Sequence, residues 1–143
     1  VFVPQYGKTL FPLPYSVNFS AKVLRGVPYT HPDGAKLQVV SSLMTSHFLH
    51  REIREKNGAY GGGAQYAGLN GLFSFYSYRD PKSLETIETY SKALDWMAKR
   101  KFTEQEMTEA KLSIFQGVDA PISVSQEGLL QFTDGVSDDI RQR

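Results

Sequence analysis

The sequence predicts an α+β domain of two layers, a largely antiparallel sheet covered by helices. Three observations carry this. A stretch near the start alternates with period two, a hairpin signal lies in the middle, and helical periodicity with cap residues fills the rest. The order reads strand, helix, two strands, then two or three helices. It shows no internal repeat or second domain, so residues 1–143 are taken as one domain.

Residues 1–15 hold Pro4, Pro12 and Pro14 and read as a lead-in segment. Residues 16–25 follow as a strand, with Val17, Phe19, Ala21 and Val23 on the face expected to be buried and Asn18, Ser20 and Lys22 opposite. A loop with Pro28, Pro32 and Asp33-Gly34 leads into a helix from about Ala35 to Lys56. At roughly 100° per residue, Leu37, Val40, Leu43, Met44 and Phe48 share one arc. That wheel also places His47, His50 and Arg54 inward and moves Leu49 and Ile53 to the far side. Lys56 suits the negative helix end, and Gly58 suits a left-handed cap.

Residues 60–68 and 72–79 form the expected hairpin, with Asn70-Gly71 as a two-residue type I′ turn and the aromatic second strand central. Asp80-Pro81 supplies an N-cap and a first-turn proline for a helix lined by Leu84, Ile87, Tyr90, Leu94, Met97 and Ala98, with Trp96 off the stripe. Thr103 to Glu106 fits a capping box, Phe102 with Met107 a hydrophobic staple, and Met107, Ala110 and Ile114 a buried stripe. Asp119-Ala120-Pro121 breaks the chain. Residues from Ser123 to Gln126 cap a last helix lined by Leu129, Phe132, Val136 and Ile140.

Composition narrows the function. Hydrophobic residues make up 41% and charged residues 22%, the balance of a globular chain. A net charge of +1 argues against a nucleic-acid surface, and no apolar run reaches the length of a membrane span. With no cysteine, disulfides and thiolate metal sites are excluded. The Asn18-Phe19-Ser20 sequon lies in a strand and carries no weight. The chain opens on Val1 without an initiator Met and stops within a helical pattern, so it is expected to be a fragment.

The stretch from His47 to Gly63 concentrates the chemistry. His47 and His50 are three apart, but neither H-E-x-x-H nor H-x-x-E-H occurs, so no metal site is expected. Gly58 and Gly61 to Gly63 lack the Gly-Lys-Ser/Thr of a phosphate loop and lead into a strand. No nucleophile elbow or serine–histidine cue is present, and Glu104/Glu106 and Asp138/Asp139 read as solvated helix ends. Arg54 and Tyr60 remain. A forked cation and a phenol donor can hold a substrate backbone and stabilise an oxyanion generated elsewhere. The structural alternative pairs Arg54 with Glu52 or Glu55 and packs Tyr60 on the sheet.

At these residues the chain resembles a known family. The run Arg54-Glu55-Lys56-Asn57-Gly58-Ala59-Tyr60-Gly61-Gly62 is similar to the C-terminal half of presequence proteases, the large one-chain members of the pitrilysin/insulinase family of inverted zinc metallopeptidases. Ser77-Tyr78-Arg79-Asp80-Pro81 and Val118-Asp119-Ala120-Pro121 follow in the order that group shows them. Asn57 stands where many relatives have glycine.

The resemblance implies a β-α-β-β-α-α half-domain of the processing-peptidase-like type. It implies an enzyme of two halves closing around a chamber, with H-x-x-E-H, zinc and the general base in the N-terminal half. This C-terminal half would bind no metal and would supply Arg54 and Tyr60 to a composite active site, with Gly61, Gly62 and Gly63 beside the substrate. The implied partners are that N-terminal half and unstructured peptides such as cleaved presequences. The implied compartment is the mitochondrial matrix or a plastid, and the isolated fragment is expected to be inactive. The alternative is a non-catalytic structural or peptide-binding domain of an inactive relative.

Overall fold

In a computed structural model, the structure describes Val3, Gly7 and residues 13–124 and 128–135. Most of the lead-in segment, together with Val136 and Ile140 of the expected last helix, lies outside the described residues. The elements are β1 (Asn18–Arg25), α1 (Gly34–Met44) with a π-helical continuation (Thr45–Lys56), β2 (Gly61–Ala67), β3 (Leu72–Asp80), α2 (Ser83–Lys99), α3 (Glu104–Val118) and α4 (Leu129–Asp134). This is the predicted α+β order. The sheet is antiparallel throughout in the order β1-β3-β2, with the aromatic strand β3 central as expected.

β3 sets the inside of the sheet. Phe73, Phe75 and Ser77 are buried, and Phe75 stacks on Tyr90 of α2 with ring centroids 5.3 Å apart. Around them gather Met44, Leu49, Ile53, Ala59, Ala64 and Ala93. Each fully buried large side chain among these contributes roughly 1.5–3 kcal/mol of transfer free energy.

Register then decides the other strands. Ser20 faces Ser77, Lys22 faces Phe75 and Leu24 faces Phe73, so these residues of β1 point inward. The alternation of β1 was correctly expected, but its buried face was not. Phe19 and Val23 are 68% and 56% exposed, opposite the helices, together with Tyr76 and Tyr78. The inward polar groups of β1 and its partner residues are satisfied. The Ser20 and Ser77 hydroxyls lie 2.6 Å apart, the Tyr90 hydroxyl reaches the Ser20 carbonyl, and Lys22 extends along the sheet to Ser91.

Other elements depart from expectation for similar reasons. In α2 the inward stripe is Thr86, Thr89, Tyr90 and Ala93, with Trp96 and Met97 half-buried, whereas Leu84, Ile87 and Leu94 are exposed. Trp96 is drawn in by Phe48 (5.1 Å) and Phe102 (5.7 Å). Asp80 is not an N-cap. It is buried, accepts the Ser77 hydroxyl at 2.7 Å and the Lys82 N–H at 2.8 Å, and so closes a turn ahead of α2.

The hairpin loop has four residues rather than two. Gly71 N–H bonds the Gly68 carbonyl, and of Asn70 and Gly71 only Gly71 takes a positive φ (61°). The longer loop offers the Gly68 and Gly71 carbonyls to Tyr29 and Gly26 N–H. The capping box of Thr103 and Glu106 is present, and Ala110 is buried between half-buried Met107 and Ile114. Leu129 and Phe132 of α4 are exposed rather than core-lining.

Candidate functional site

The long helix changes hydrogen-bond register at Thr45. Its i→i+5 bonding winds roughly four to five residues per turn, so residues four apart stay on nearly one face. Leu49 and Ile53 therefore turn inward together, fully buried, while His50 and Arg54 turn out to solvent. The α-helical wheel predicted the opposite. Among the described residues, π-helical winding is confined to this segment, and no composition signal announced it.

Thr45 anchors the wide turn, since its Oγ1 accepts the Ala64 N–H at 2.9 Å and so ties the helix to β2. At the other end Gly58, at φ 80°, gives its N–H to the Arg54 carbonyl in the expected left-handed cap. Ala59 N–H reaches back to the Ile53 carbonyl and buries its methyl group. The next residue is Tyr60.

Arg54 is exposed, and no carboxylate lies within ion-pair distance of it among the described residues. Glu52 is already taken by Lys56, at 2.7 and 2.9 Å, and by Arg51 at 3.2 Å. The Lys56 hydrogen bonds, helped by Arg51, hold the Glu52 carboxyl below the usual carboxylate range. Glu55 faces His50 instead, with Oε1 3.5 Å from Nδ1. Arg54 Nη1 lies 3.3 Å from His50 Nε2, within hydrogen-bond distance. A wide turn makes this Glu55-His50-Arg54 row possible, because residues five apart on an α-helix point well away from each other.

Tyr60 is 61% exposed and its hydroxyl has no partner among the described residues. Its ring lies 5.5 Å from the Tyr78 ring, and its N–H bonds the Arg79 carbonyl at 3.3 Å. No hydrogen bond joins Arg54 to Tyr60; the cap between them holds both on the same end of the helix.

The three glycines have packing reasons. A Cβ on Gly61 would stand 2.6 Å from the Tyr78 ring, one on Gly62 2.7 Å from the Tyr76 carbonyl, and one on Gly63 2.9 Å from Thr45. Gly62 also lets Ile53 approach, its Cγ2 lying 3.1 Å from that Cβ position.

His47 turns away from this site. It is half-buried, 3.7 Å from Glu106 and tilted against Phe102. Among the described residues no three His, Asp or Glu side chains converge as a metal-binding group. Sequence reasoning passed over Arg79, whose signal was its place in the Ser77 to Pro81 run, and left His50 without a role.

The fold and site define a two-layer α+β domain that presents an exposed arginine without a carboxylate partner among the described residues and an exposed tyrosine. The chain belongs to the PreP C-terminal domain family, whose model matches residues 8–143. It is 51% identical over 142 residues to the mitochondrial presequence protease of Xenopus tropicalis, covering 99% of the chain and 14% of that protein. The mitochondrial presequence protease of Mus musculus is 50% identical over 141 residues, with 99% and 14% covered, and that of Schizosaccharomyces pombe 49% over 135 residues, with 94% and 14%. The chain thus spans about one-seventh of the length of the curated relatives it matches.

Proposed function

We propose that this chain is the substrate-facing, non-metal-binding domain of a mitochondrial presequence-degrading peptidase. The observation that carries the reading is the site itself: Arg54 without a carboxylate and Tyr60 with a free hydroxyl, on either side of one helix cap. Its family and the names of its relatives support the peptidase class and the mitochondrial compartment.

In this reading the hydrolytic machinery belongs to an N-terminal half of the same protein. Zinc, when bound in that half, would supply an activated nucleophilic water. Tyr60 donates its phenolic hydrogen bond to the oxyanion as the scissile carbonyl becomes tetrahedral. Arg54, held by His50, steadies the peptide backbone and adds positive potential. The peptide lies along the outer strand β2 at Gly61 to Gly63, on the edge that β3 leaves free.

The test is Tyr60→Phe in the intact protease, with an unstructured fluorogenic peptide as substrate. Removing one oxyanion donor lowers kcat by about 10²–10³, and zinc content stays at the wild-type level. Near-normal turnover sinks the assignment of Tyr60. An intact protein without H-x-x-E-H upstream favours the alternative, a peptide-binding domain of an inactive relative.

A further inference from the structure

Arg79 is the only residue other than glycine with a positive φ (51°) among the described residues. It sits where the sheet is irregular. Asn18 faces Asp80 and Phe19 faces Tyr78, which leaves Arg79 as the extra residue of a bulge on β3. Glycine takes this conformation without steric cost and arginine does not, so backbone geometry alone favours glycine here.

The side chain goes to Tyr60. Arg79 Cζ lies 5.5 Å from the centroid of the Tyr60 ring, and the Arg79 carbonyl accepts the Tyr60 N–H at 3.3 Å. The bulge is what allows both. In a regular strand the side chain would alternate away from Tyr78 to the inner face, whereas here Tyr78 and Arg79 are both exposed beside Tyr60. Tyr60 is thus held by a cation and a neighbouring ring, although it is largely surrounded by solvent.

We propose that Arg79 is a positioning residue for Tyr60. Its guanidinium and carbonyl fix the direction of the phenol, so that the hydroxyl meets the oxyanion without first being ordered by the substrate. This rests on the reading of Tyr60 as the oxyanion donor, and the experiment separates the two.

Arg79→Gly, Arg79→Lys, Tyr60→Phe and the Arg79→Gly/Tyr60→Phe pair are made in the intact protease, and kcat, KM and melting temperature are measured with an unstructured fluorogenic peptide. Arg79→Gly relaxes the backbone, so its melting temperature is equal to or above wild type. Its kcat falls roughly three- to tenfold with KM unchanged, because a group directed at the transition state is lost from kcat alone. Arg79→Lys keeps a cation over the ring and recovers most of the loss. In the Tyr60→Phe background Arg79→Gly has little further effect.

Full turnover of Arg79→Gly overturns the proposal, as does an equal loss in the Tyr60→Phe background. A lowered melting temperature that accounts for the loss, without rescue by lysine, assigns Arg79 to structure instead. If Tyr60→Phe is itself silent, the oxyanion reading falls and this proposal falls with it.

Discussion

The two parts of the long helix teach different things. The α-helical part, Gly34–Met44, ends in the buried Leu43 and Met44 and serves the core. The π-helical part, Thr45–Lys56, buries only Leu49 and Ile53 and turns its charged residues outward. One continuous helix changes its hydrogen-bond step, and its role changes from packing to presenting. The wide turn is costly in isolation, since π-helical bonding is rare outside single-turn bulges and frequent at functional sites. Here it is held by Thr45 on β2 at one end and by Gly58 at the other, with Ile53 seated over Gly62 between them.

The two parts of the helix are separated most directly at their buried anchors. Ile53→Ala and Leu43→Ala should each cost about 2–5 kcal/mol, read by denaturant unfolding of the intact protein. Only Ile53→Ala should also lower turnover in the folded protein, because it unseats the π-helical part. An equal effect of both variants on turnover would erase the distinction between the two parts.

A smaller effect is expected at the strand beneath. Gly62→Ala drives a methyl group to 2.7 Å from the Tyr76 carbonyl and against Ile53, backbone and core atoms that yield poorly. A loss of about 1–3 kcal/mol is expected for such overpacking. Gly61→Ala meets only the far end of the Tyr78 side chain, which can swing aside, so it should cost less stability. Melting temperatures in the reverse order would show that the helix does not rest on Gly62.

The smallest effect concerns pH. Glu52, on the outer side of the π-helical part, has its carboxyl pulled down chiefly by the Lys56 hydrogen bonds. A folded-state pKa below the unfolded one means that the unfolded chain binds the proton first. The contribution is therefore complete above the ordinary glutamate range and is lost as pH falls through the lowered value. Glu106 behaves likewise, held down by the Thr103 N–H and Arg100. Glu52→Gln should flatten the acid side of the stability curve slightly; a curve unchanged below pH 5 would show that the Lys56 contact is not held in solution.

Local signals were legible where the chemistry is local. The capping box of Thr103 and Glu106, the left-handed cap at Gly58 and the order of strands and helices need only near neighbours, and the sequence by itself determined them. Arg54 and Tyr60 were singled out by residue type and by the family resemblance; the structure leaves both exposed at one helix end, Arg54 beside His50 and Tyr60 beside Tyr78 and Arg79. The facing of each element was another matter. β1 has two faces of comparable pattern, and only its register against Phe73, Phe75 and Ser77 turned Ser20 and Leu24 inward. A 100° wheel cannot see a change to i→i+5 bonding, which depends on Thr45 finding the Ala64 N–H across the fold. The bulge at Arg79 needs β1 paired with β3 before its extra residue exists. Sequence settled which elements form, because their caps and turns are made within a few residues. Tertiary structure settled which side chains each element shows, because phase and register are set by the surfaces that meet.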